Sequence, residues 1–274
     1  MTLPEGYERI GGTPDVSAFG WSGVSALLAR ALREHGSLRA WAGSLADAEP
    51  LEGRGTVLAV DAPAPGPDGH PRWAVRSYLR GGAMAAWLGD RYLRVGTSRP
   101  EHELRASCAI RDRGVPTPAV VAGAVYRAHP FHYRADLITE LVPSSVDLAA
   151  ALWGGPGGDP LGDPTKALRA SGALLARTAA AGIYHPDLNA KNIVLRTGSP
   201  RLTAHLIDLD RCRVRRRPRS SDEQAMRARL ERSLQKHATR TGVPLTEAQL
   251  RALEQGIREG GSARPPSDAP GKTP

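Results

Sequence analysis

The sequence predicts an α+β protein of two lobes, a small strand-rich N-terminal lobe followed by a helical C-terminal lobe. Short apolar runs bounded by Gly and Pro recur up to residue 142, a pattern typical of strands. Segments with helical periodicity dominate from residue 143 onwards. With 274 residues, 41% of them hydrophobic, the chain is long enough to bury a sizeable core. We expect lobes at 1–142 and 143–259, and a disordered Gly/Ser/Pro-rich tail at 260–274.

The N-terminal lobe opens with residues 1–50, in which only Ser22–Glu34 has a clear helical period. Gly53 and Gly55 then precede an apolar run, and glycines at this spacing let backbone amides approach phosphate groups closely. An ordinary hairpin turn is the alternative explanation. A Pro/Gly-rich connection at residues 62–69 leads to the next predicted strand.

That strand, Arg72–Tyr78, carries Arg76 as a candidate cation for nucleotide phosphates, and Arg80 follows closely. A helix predicted at Glu101–Ile110 offers a carboxylate that would pair with this cation. We choose Glu103 because it lies one turn inside the helix, beside apolar positions. A solvated strand arginine and an ordinary surface glutamate are the alternatives.

Two further strands are predicted near Val120–Tyr126 and Tyr133–Leu141, and the second ends in a Pro-containing break. A hinge between the lobes would lie at this break, with backbone groups of Glu140–Val142 facing an adenine ring. The helices predicted after it begin with a short one at Val146–Trp153 and a longer one at Thr165–Ala181.

The stretch Tyr184–Asn192 is the most informative part of the chain. It places Asp187 five residues before Asn192, and an apolar hairpin pattern then leads to Asp208. One carboxylate can orient a hydroxyl nucleophile and accept its proton, while an amide oxygen and a second carboxylate can hold magnesium beside nucleotide phosphates. Protein kinases have the same order of residues, so a protein-kinase-like fold with ATP and Mg²⁺ as cofactors is expected.

The alternative for these residues is structural, because Asp and Asn are common in turns and helix caps. The joint pattern of Asp187, Asn192, two apolar strands and Asp208 is much harder to obtain by chance. We therefore assign catalysis to Asp187 and metal binding to Asn192 and Asp208. We interpret His185 as a structural residue that supports the loop.

Six arginines cluster within Arg211–Arg219, directly after the last acidic residue of this stretch, Asp210. A solvated or lipid-facing patch is the ordinary explanation of such a run. Because of its position, we expect it at the acceptor-side mouth of the site. Two more helices are predicted beyond it, at Ser220–His237 and at Thr246–Arg258, the second capped by Thr246.

The net charge of +9 favours an anionic partner, such as a nucleotide, a phosphorylated lipid, a nucleic acid or a membrane surface, without choosing among them. The two cysteines, Cys108 and Cys212, have no metal-ligand spacing and are too few for a disulfide scaffold, so we expect reduced thiols in the cytoplasm. Residues 1–20 show no signal-peptide pattern, and no apolar run is long enough to span a membrane.

Taken together, these motifs resemble the 3-deoxy-D-manno-octulosonic acid (Kdo) kinases of the lipopolysaccharide kinase (Kdo/WaaP-type) family, which has a kinase-like fold. The similar pieces follow the family's order from about residue 50 to about residue 240. The most distinctive are Arg80-Gly81-Gly82, Ala135–Thr139 and Asp187-Leu188-Asn189, which separate this family from antibiotic phosphotransferases. Pro186 and Leu209 stand where the family usually has Ala and Phe.

The resemblance implies ATP-dependent phosphorylation of the 4-hydroxyl of a Kdo residue on a lipid A precursor, a step of lipopolysaccharide inner-core biosynthesis. It implies that Arg76, paired with Glu103, binds the α- and β-phosphates of ATP. Arg80, Arg211, Arg213 and Arg215–Arg217 become candidates for binding the Kdo carboxylate, lipid A phosphates or anionic headgroups. The implied location is the cytoplasmic face of the inner membrane, with peripheral attachment through basic patches.

Two other functions compete with this one. Another small-molecule kinase, acting on a sugar or an aminoglycoside, would need an acidic pocket for a cationic acceptor, whereas the segment after Asp210 is rich in arginine. A non-catalytic kinase-like binding module would usually have lost a metal or base residue. A nucleic-acid binder would usually interleave aromatic residues with the basic ones, which residues 211–219 do not do, so no nucleic-acid partner is expected.

Overall fold

The computed structural model describes residues 2–11, 15–51, 57–78, 92–93, 98–129, 132–155, 161–198 and 202–262. Gly53, Gly55 and Arg80, which the sequence assigns to phosphate or substrate binding, lie outside these ranges. The chain divides into two compact units. The first unit comprises Met1–Cys108 and Pro118–Pro143, and the second comprises Ala109–Thr117 and Ser144–Pro274. The predicted α+β class is confirmed, since strands dominate the first unit and helices the second.

The first unit is built on an eight-stranded antiparallel sheet. Its strands are β1 (Tyr7–Ile10), β2 (Val16–Trp21), β3 (Glu49–Pro50), β4 (Leu58–Asp61), β5 (Arg72–Ser77), β6 (Tyr92–Leu93), β7 (Val120–His129) and β8 (His132–Glu140). They lie in the order β1-β2-β7-β8-β5-β4-β3, with β6 also paired to β8. The sequence did not predict β1 and β2, which are short and lie in the part of the chain that it left open.

Helices pack against this sheet, and the alternation of side chains along β5 decides which residue meets which helix. Trp73 and Val75 lie in an apolar cluster with α1 (Ser25–His35) and α2 (Leu38–Ser44). Neighbouring side chains of a strand point to opposite faces, so Arg76 and Tyr78 are directed away from that cluster. Tyr78 instead packs with Leu104 of α3 (Arg99–Asp112). The strand thereby brings Arg76 to the helix that carries Glu103.

A buried polar cluster centred on Asp136 attaches α2 to the sheet. The Asp136 Oδ1 atom accepts a hydrogen bond from the Ser77 hydroxyl at 2.7 Å. The Asp136 Oδ2 atom accepts from the Tyr126 hydroxyl at 2.8 Å and from the Arg39 amide at 3.0 Å. The Tyr126 oxygen in turn accepts from the Leu38 amide. Burial and the nearby carboxylate raise the pKa of Tyr126, so it stays a hydroxyl donor.

The second unit contains α4 (Leu148–Trp153), α5 (Pro164–Ala180), α6 (Ser220–Thr241), α7 (Glu247–Ser262) and a single helical turn at Ala190–Asn192. Its strands are β9 (Ser145–Asp147), β10 (Ile183–Tyr184), β11 (Ile193–Arg196), β12 (Thr203–Leu206) and β13 (Arg213–Val214). They form a three-stranded sheet, β12-β11-β9, and a two-stranded sheet, β10-β13. None of the described helices combines the length and the apolar character that crossing a membrane requires.

Helices α5 and α7 approach each other closely at glycines. A Cβ atom at Gly256 would clash with the carbonyl oxygen of Arg169, and one at Gly260 with that of Ala173. Likewise, a Cβ atom at Gly172 would meet the carbonyl oxygen of Leu253. Glycine is a poor helix former, so its use inside two helices is explained by this backbone contact.

Several predicted helix boundaries need correction. The helix expected at Val146–Trp153 begins only at Leu148, because residues 145–147 pair with β11 and the Asp147 side chain caps the helix by accepting from the Ala150 amide. Helix α6 continues to Thr241, beyond its predicted end at His237, and helix α7 continues to Ser262, beyond its predicted end at Arg258 and the predicted end of the lobe at 259. Its predicted cap is present, and Thr246 and Gln249 form a reciprocal capping box.

Candidate active site

In the first unit, Arg76 and Glu103 form the ion pair that the sequence predicts. The Arg76 Nη2 lies 2.6 Å and 2.5 Å from the two carboxylate oxygens of Glu103. The Tyr78 hydroxyl donates to the same carboxylate, and the Arg76 guanidinium lies over the Tyr78 ring at 4.7 Å. The Glu103 side chain is only 4% exposed and that of Arg76 is 24% exposed. The carboxylate is thus enclosed, while the cation keeps contact with solvent.

Glu140, whose backbone the sequence assigns to contact with the adenine, also has a structural side chain. Its buried carboxylate accepts hydrogen bonds from the amides of Asp68 and His70, at 3.0 Å and 3.3 Å, and so holds the Pro/Gly connection in place. Its own amide donates to Ala119, and that of Leu141 donates to the Arg72 carbonyl. The side chain and the amide of Glu140 therefore form hydrogen bonds within the protein. The group of Glu140 left for the predicted nucleotide contact is its carbonyl.

Asp68, His70 and Glu140 also form a group of potential metal ligands, with one ligand atom of each within 4.8 Å of the others. Burial raises the pKa of Glu140, which disfavours the charged form that binds a cation. The same carboxylate already accepts the amides of its two neighbours. Anchoring of the connection explains this group without a metal ion.

In the second unit, the loop between β10 and β11 wraps around the backbone of Asp187. The carbonyl oxygen of Asp187 accepts hydrogen bonds from the side-chain amides of Asn189 and Asn192, each at 3.0 Å. The Asp187 amide donates to the His185 ring at 3.2 Å. With the backbone held on both sides, the Asp187 carboxylate projects outwards and is 42% exposed.

His185 is buried and joins the Asp187 loop to the residue before Asp208. Its Nδ1 accepts from the Asp187 amide, so the ring proton is on Nε2, which donates to the Ile207 carbonyl at 3.1 Å. This arrangement uses both ring nitrogens for support, in agreement with the structural role that we assigned to His185.

Asn192 and Asp208 are brought near each other by the pairing of β11 with β12. Ile193 pairs with Leu206, and the Ile207 amide donates to the Asn192 carbonyl at 3.1 Å. Asp208 has a left-handed backbone with φ of 63°, a conformation that Asp tolerates better than most residues and that is common at functional sites. Since the Asn192 amide nitrogen binds Asp187, its side-chain oxygen is the atom left for a cation. An amide oxygen and a carboxylate are hard ligands that fit Mg²⁺.

Within the arginine cluster, some side chains are exposed and another forms an ion pair. Among the candidate acceptor ligands, Arg211, Arg213, Arg216 and Arg217 are exposed. Arg215 forms an ion pair with Asp222, and its guanidinium lies 5.8 Å from the centre of the Tyr184 ring. Residues 214–219 line an open depression of about 700 Å³. Arg215 therefore supports the segment, while exposed neighbours are available to an anion.

One contact at the loop was not predicted. The Arg229 Nη2 on α6 lies 2.5 Å from the Asp187 Oδ1, although 42 residues separate the two in sequence. The available signal was the helical spacing of buried residues along α6, which indicates a face packed on the rest of the second unit.

Comparisons with known proteins identify the family. The profile of the lipopolysaccharide kinase (Kdo/WaaP) family matches residues 25–256. The 3-deoxy-D-manno-octulosonic acid kinase of Actinobacillus succinogenes is 33% identical over 189 residues, covering 68% of this chain and 75% of the relative. The enzymes of the same name from Xanthomonas oryzae pv. oryzae and Vibrio cholerae are 38% and 31% identical, covering 67% and 70% of this chain and 68% and 74% of the relatives.

The chain therefore belongs to the lipopolysaccharide kinase (Kdo/WaaP) family, and it is a phosphotransferase of the class that acts on hydroxyl groups. Family membership confirms the predicted kinase-like fold and implies the use of ATP. A solved structure titled "WaaP in complex with acyl carrier protein" matches with a TM-score of 0.48 and 18% identity, covering 83% of this chain and 86% of that chain.

Proposed function

We propose that this protein transfers the γ-phosphate of ATP to the 4-hydroxyl of a Kdo residue on a lipid A precursor. The observation that supports it most is the projecting, solvent-accessible carboxylate of Asp187, on a loop that also fixes Asn192, in a chain of this family. Other members of the family with similar sequences are named Kdo kinases.

Asp187 would act on the acceptor. Its carboxylate would accept a hydrogen bond from the sugar hydroxyl, orient the oxygen towards the γ-phosphate and take the proton as the new P–O bond forms. The bond between the γ-phosphorus and the bridging oxygen would break in the same transfer, and ADP would leave. The two amide hydrogen bonds to its carbonyl group keep the loop from rotating, so the carboxylate meets the acceptor in one orientation. Such positioning lowers the barrier without further covalent chemistry by the protein.

Asn192 and Asp208 would hold Mg²⁺ through the amide oxygen and the carboxylate. When bound, the ion would neutralise charge on the phosphate oxygens of ATP. The contribution of the chain is to present these two oxygen ligands from adjacent, paired segments. The strained backbone of Asp208 supports this role, because such conformations persist where the surrounding structure requires them.

Arg76 would bind the α- and β-phosphates of ATP. Its ion pair with the enclosed Glu103 fixes the guanidinium, and the Tyr78 ring beneath it limits its movement. A fixed, partly exposed guanidinium is well suited to binding phosphate oxygens. Gly53 and Gly55 would approach the phosphates with backbone amides, and the Glu140 carbonyl would face the adenine.

The acceptor would be anionic. Exposed Arg211 and Arg213, together with Arg80, would bind the Kdo carboxylate or lipid A phosphates. The same basic surface and the net charge of +9 would attach the protein peripherally to the cytoplasmic face of the inner membrane. Binding to vesicles containing anionic lipid, lost at high salt, is the expected result for this attachment.

The test is transfer of labelled phosphate from ATP to Kdo-lipid A with Mg²⁺, with the wild type compared to Asp187→Ala. We expect a phosphorylated lipid that the variant does not form, with the new phosphate on the 4-hydroxyl by NMR. Transfer to an aminoglycoside or to another sugar instead would retain the kinase and exclude the Kdo acceptor. Absence of ATP binding and turnover with every acceptor would favour a non-catalytic binding module.

A further inference from the structure

We propose that Arg229 is a positioning residue for phosphoryl transfer, which holds one oxygen of the Asp187 carboxylate so that the other faces the acceptor hydroxyl. The inference rests on the function proposed above, because it assigns a partner to the carboxylate that would act on the acceptor. Arg229 belongs to α6 and not to the loop that carries Asp187.

Arg229 contacts one of the two carboxylate oxygens of Asp187 directly. Arg229 Nη2 donates to Asp187 Oδ1 at 2.5 Å, a charge-assisted hydrogen bond. Within the described ranges, the structure gives Asp187 Oδ2 no hydrogen-bond partner. A carboxylate held in this way can rotate little about its side-chain torsions, and its second oxygen stays available to a hydroxyl group.

Helix α6 is fixed on this loop on both sides of the contact. Met226 Sδ lies 3.3 Å from the His185 amide, which donates to it, and Ser233 Oγ accepts from the Ala190 amide at 3.2 Å. Residues at 226, 229 and 233 share one face of a helix. Arg229 therefore lies between two fixed points of the same interface, which is the placement expected of a side chain that orients Asp187.

The loop itself does not provide an alternative cation. Residues 186–190 contain no Lys or Arg, and Lys191, the next residue, is exposed and anchored through its amide to Asn189. A cation that orients the carboxylate must then come from another element. Among the described residues, Arg229 is the one that forms an ion pair with Asp187.

The experiment compares Arg229→Ala and Arg229→Lys with the wild type, and uses Arg232→Ala as the control. Arg232 lies on the same helix, is exposed, and its loss changes the net charge equally. We measure kcat, the KM for ATP, ATP hydrolysis without acceptor and the melting temperature. For Arg229→Ala we expect kcat to fall on the order of a hundredfold, the scale of a misplaced catalytic group, with the KM for ATP unchanged.

Arg229→Lys should recover part of the rate, added methylguanidinium should partly restore Arg229→Ala, and Arg232→Ala should match the wild type. Melting temperatures should stay equal, because the Arg229–Asp187 pair is partly exposed. A wild-type kcat in Arg229→Ala would overturn the inference. So would a loss of rate that follows a loss of stability and that neither lysine nor methylguanidinium reverses.

The rate of ATP hydrolysis without acceptor distinguishes a failure of the Arg229 inference from a failure of the proposed acceptor. A wild type that transfers phosphate to water but not to Kdo-lipid A would exclude the acceptor, while the ratio of hydrolysis rates would still decide the role of Arg229. A wild type without turnover of any kind would overturn both proposals.

Discussion

The two groups of predicted functional residues are held in opposite ways. In the first unit, the Glu103 carboxylate is enclosed and accepts hydrogen bonds from Arg76 and Tyr78. In the second unit, the backbone of Asp187 is fixed by hydrogen bonds while its carboxylate stays exposed. Removing one member of a buried pair leaves an uncompensated charge, whereas an exposed pair adds little to stability. Function and stability should therefore be coupled in the first group and separable in the second.

The largest expected effect is the loss of activity in Asp187→Asn. The variant retains the shape of the side chain but cannot accept a proton, so kcat should fall by about 10²–10⁴-fold, the usual contribution of a general base. Because the loop is held through its backbone, thermal melting should be unchanged. Steady-state phosphorylation assays and calorimetry test both expectations. A variant that unfolds would contradict the separation of function from stability in the second unit.

The next effect is the destabilisation of Arg76→Ala, which leaves the enclosed Glu103 carboxylate, among the described residues, with the Tyr78 hydroxyl as its hydrogen-bond donor. We expect a loss of about 3–5 kcal/mol in the free energy of unfolding, together with a loss of ATP affinity. The double variant Arg76→Met, Glu103→Leu should recover stability but not affinity. Urea denaturation and nucleotide titration measure the two quantities. If Arg76→Ala is as stable as the wild type, the coupling that we infer in the first unit is wrong.

A smaller effect is expected from a change at the contact between α5 and α7 in the second unit. Gly256→Ala places a Cβ atom against the Arg169 carbonyl and should destabilise by about 1–3 kcal/mol, as overpacking does. The matched control is Gly261→Ala in the same helix, where the new Cβ would have no neighbour within 4 Å. The control should be neutral, or more stable by up to about 1 kcal/mol, because alanine favours helix. Equal melting temperatures for the two variants would refute the close contact between α5 and α7.

The smallest effect concerns pH and the buried Glu140. Because burial raises the pKa of Glu140, the folded state binds a proton more tightly than the unfolded chain does. This contribution to stability is lost as the pH rises through the raised pKa. Glu140→Gln keeps an acceptor for the Asp68 and His70 amides and removes the titration. The variant should gain stability relative to the wild type as pH rises from 4 to 8, measured by urea denaturation at each pH. A constant difference across that range would exclude the titration of Glu140.

The sequence predicted those features that depend on spacing along the chain. Asp187, Asn192 and Asp208 follow one another within a single loop and hairpin, so their order alone indicates the chemistry. Arg76 and Glu103 were paired correctly because β5 and α3 follow each other in a known order and both carry apolar neighbours that define their faces.

Features that depend on distant contacts were missed. Arg229 meets Asp187 across 42 residues, and Glu140 meets Asp68 across 72, so neither contact leaves a local pattern. Strands β1 and β2 were not predicted because pairing, of β1 with β2 and of β2 with β7, makes them strands, and short segments carry little propensity of their own. The Pro/Gly connection was interpreted only as a linker, although Glu140 holds it in place.

The ring of His185 sets a fixed spacing between the amide of Asp187 and the carbonyl of Ile207. A replacement would have to offer one acceptor and one donor at opposite ends of a planar group, which among the other side chains only Asn and Gln can approximate. An amide places its acceptor and its donor at a similar separation but on a single carbon atom, so it does not reproduce the two directions that the imidazole ring fixes. The dimensions of one aromatic ring thus act as the gauge for the distance between the Asp187 loop and the strand that leads to Asp208.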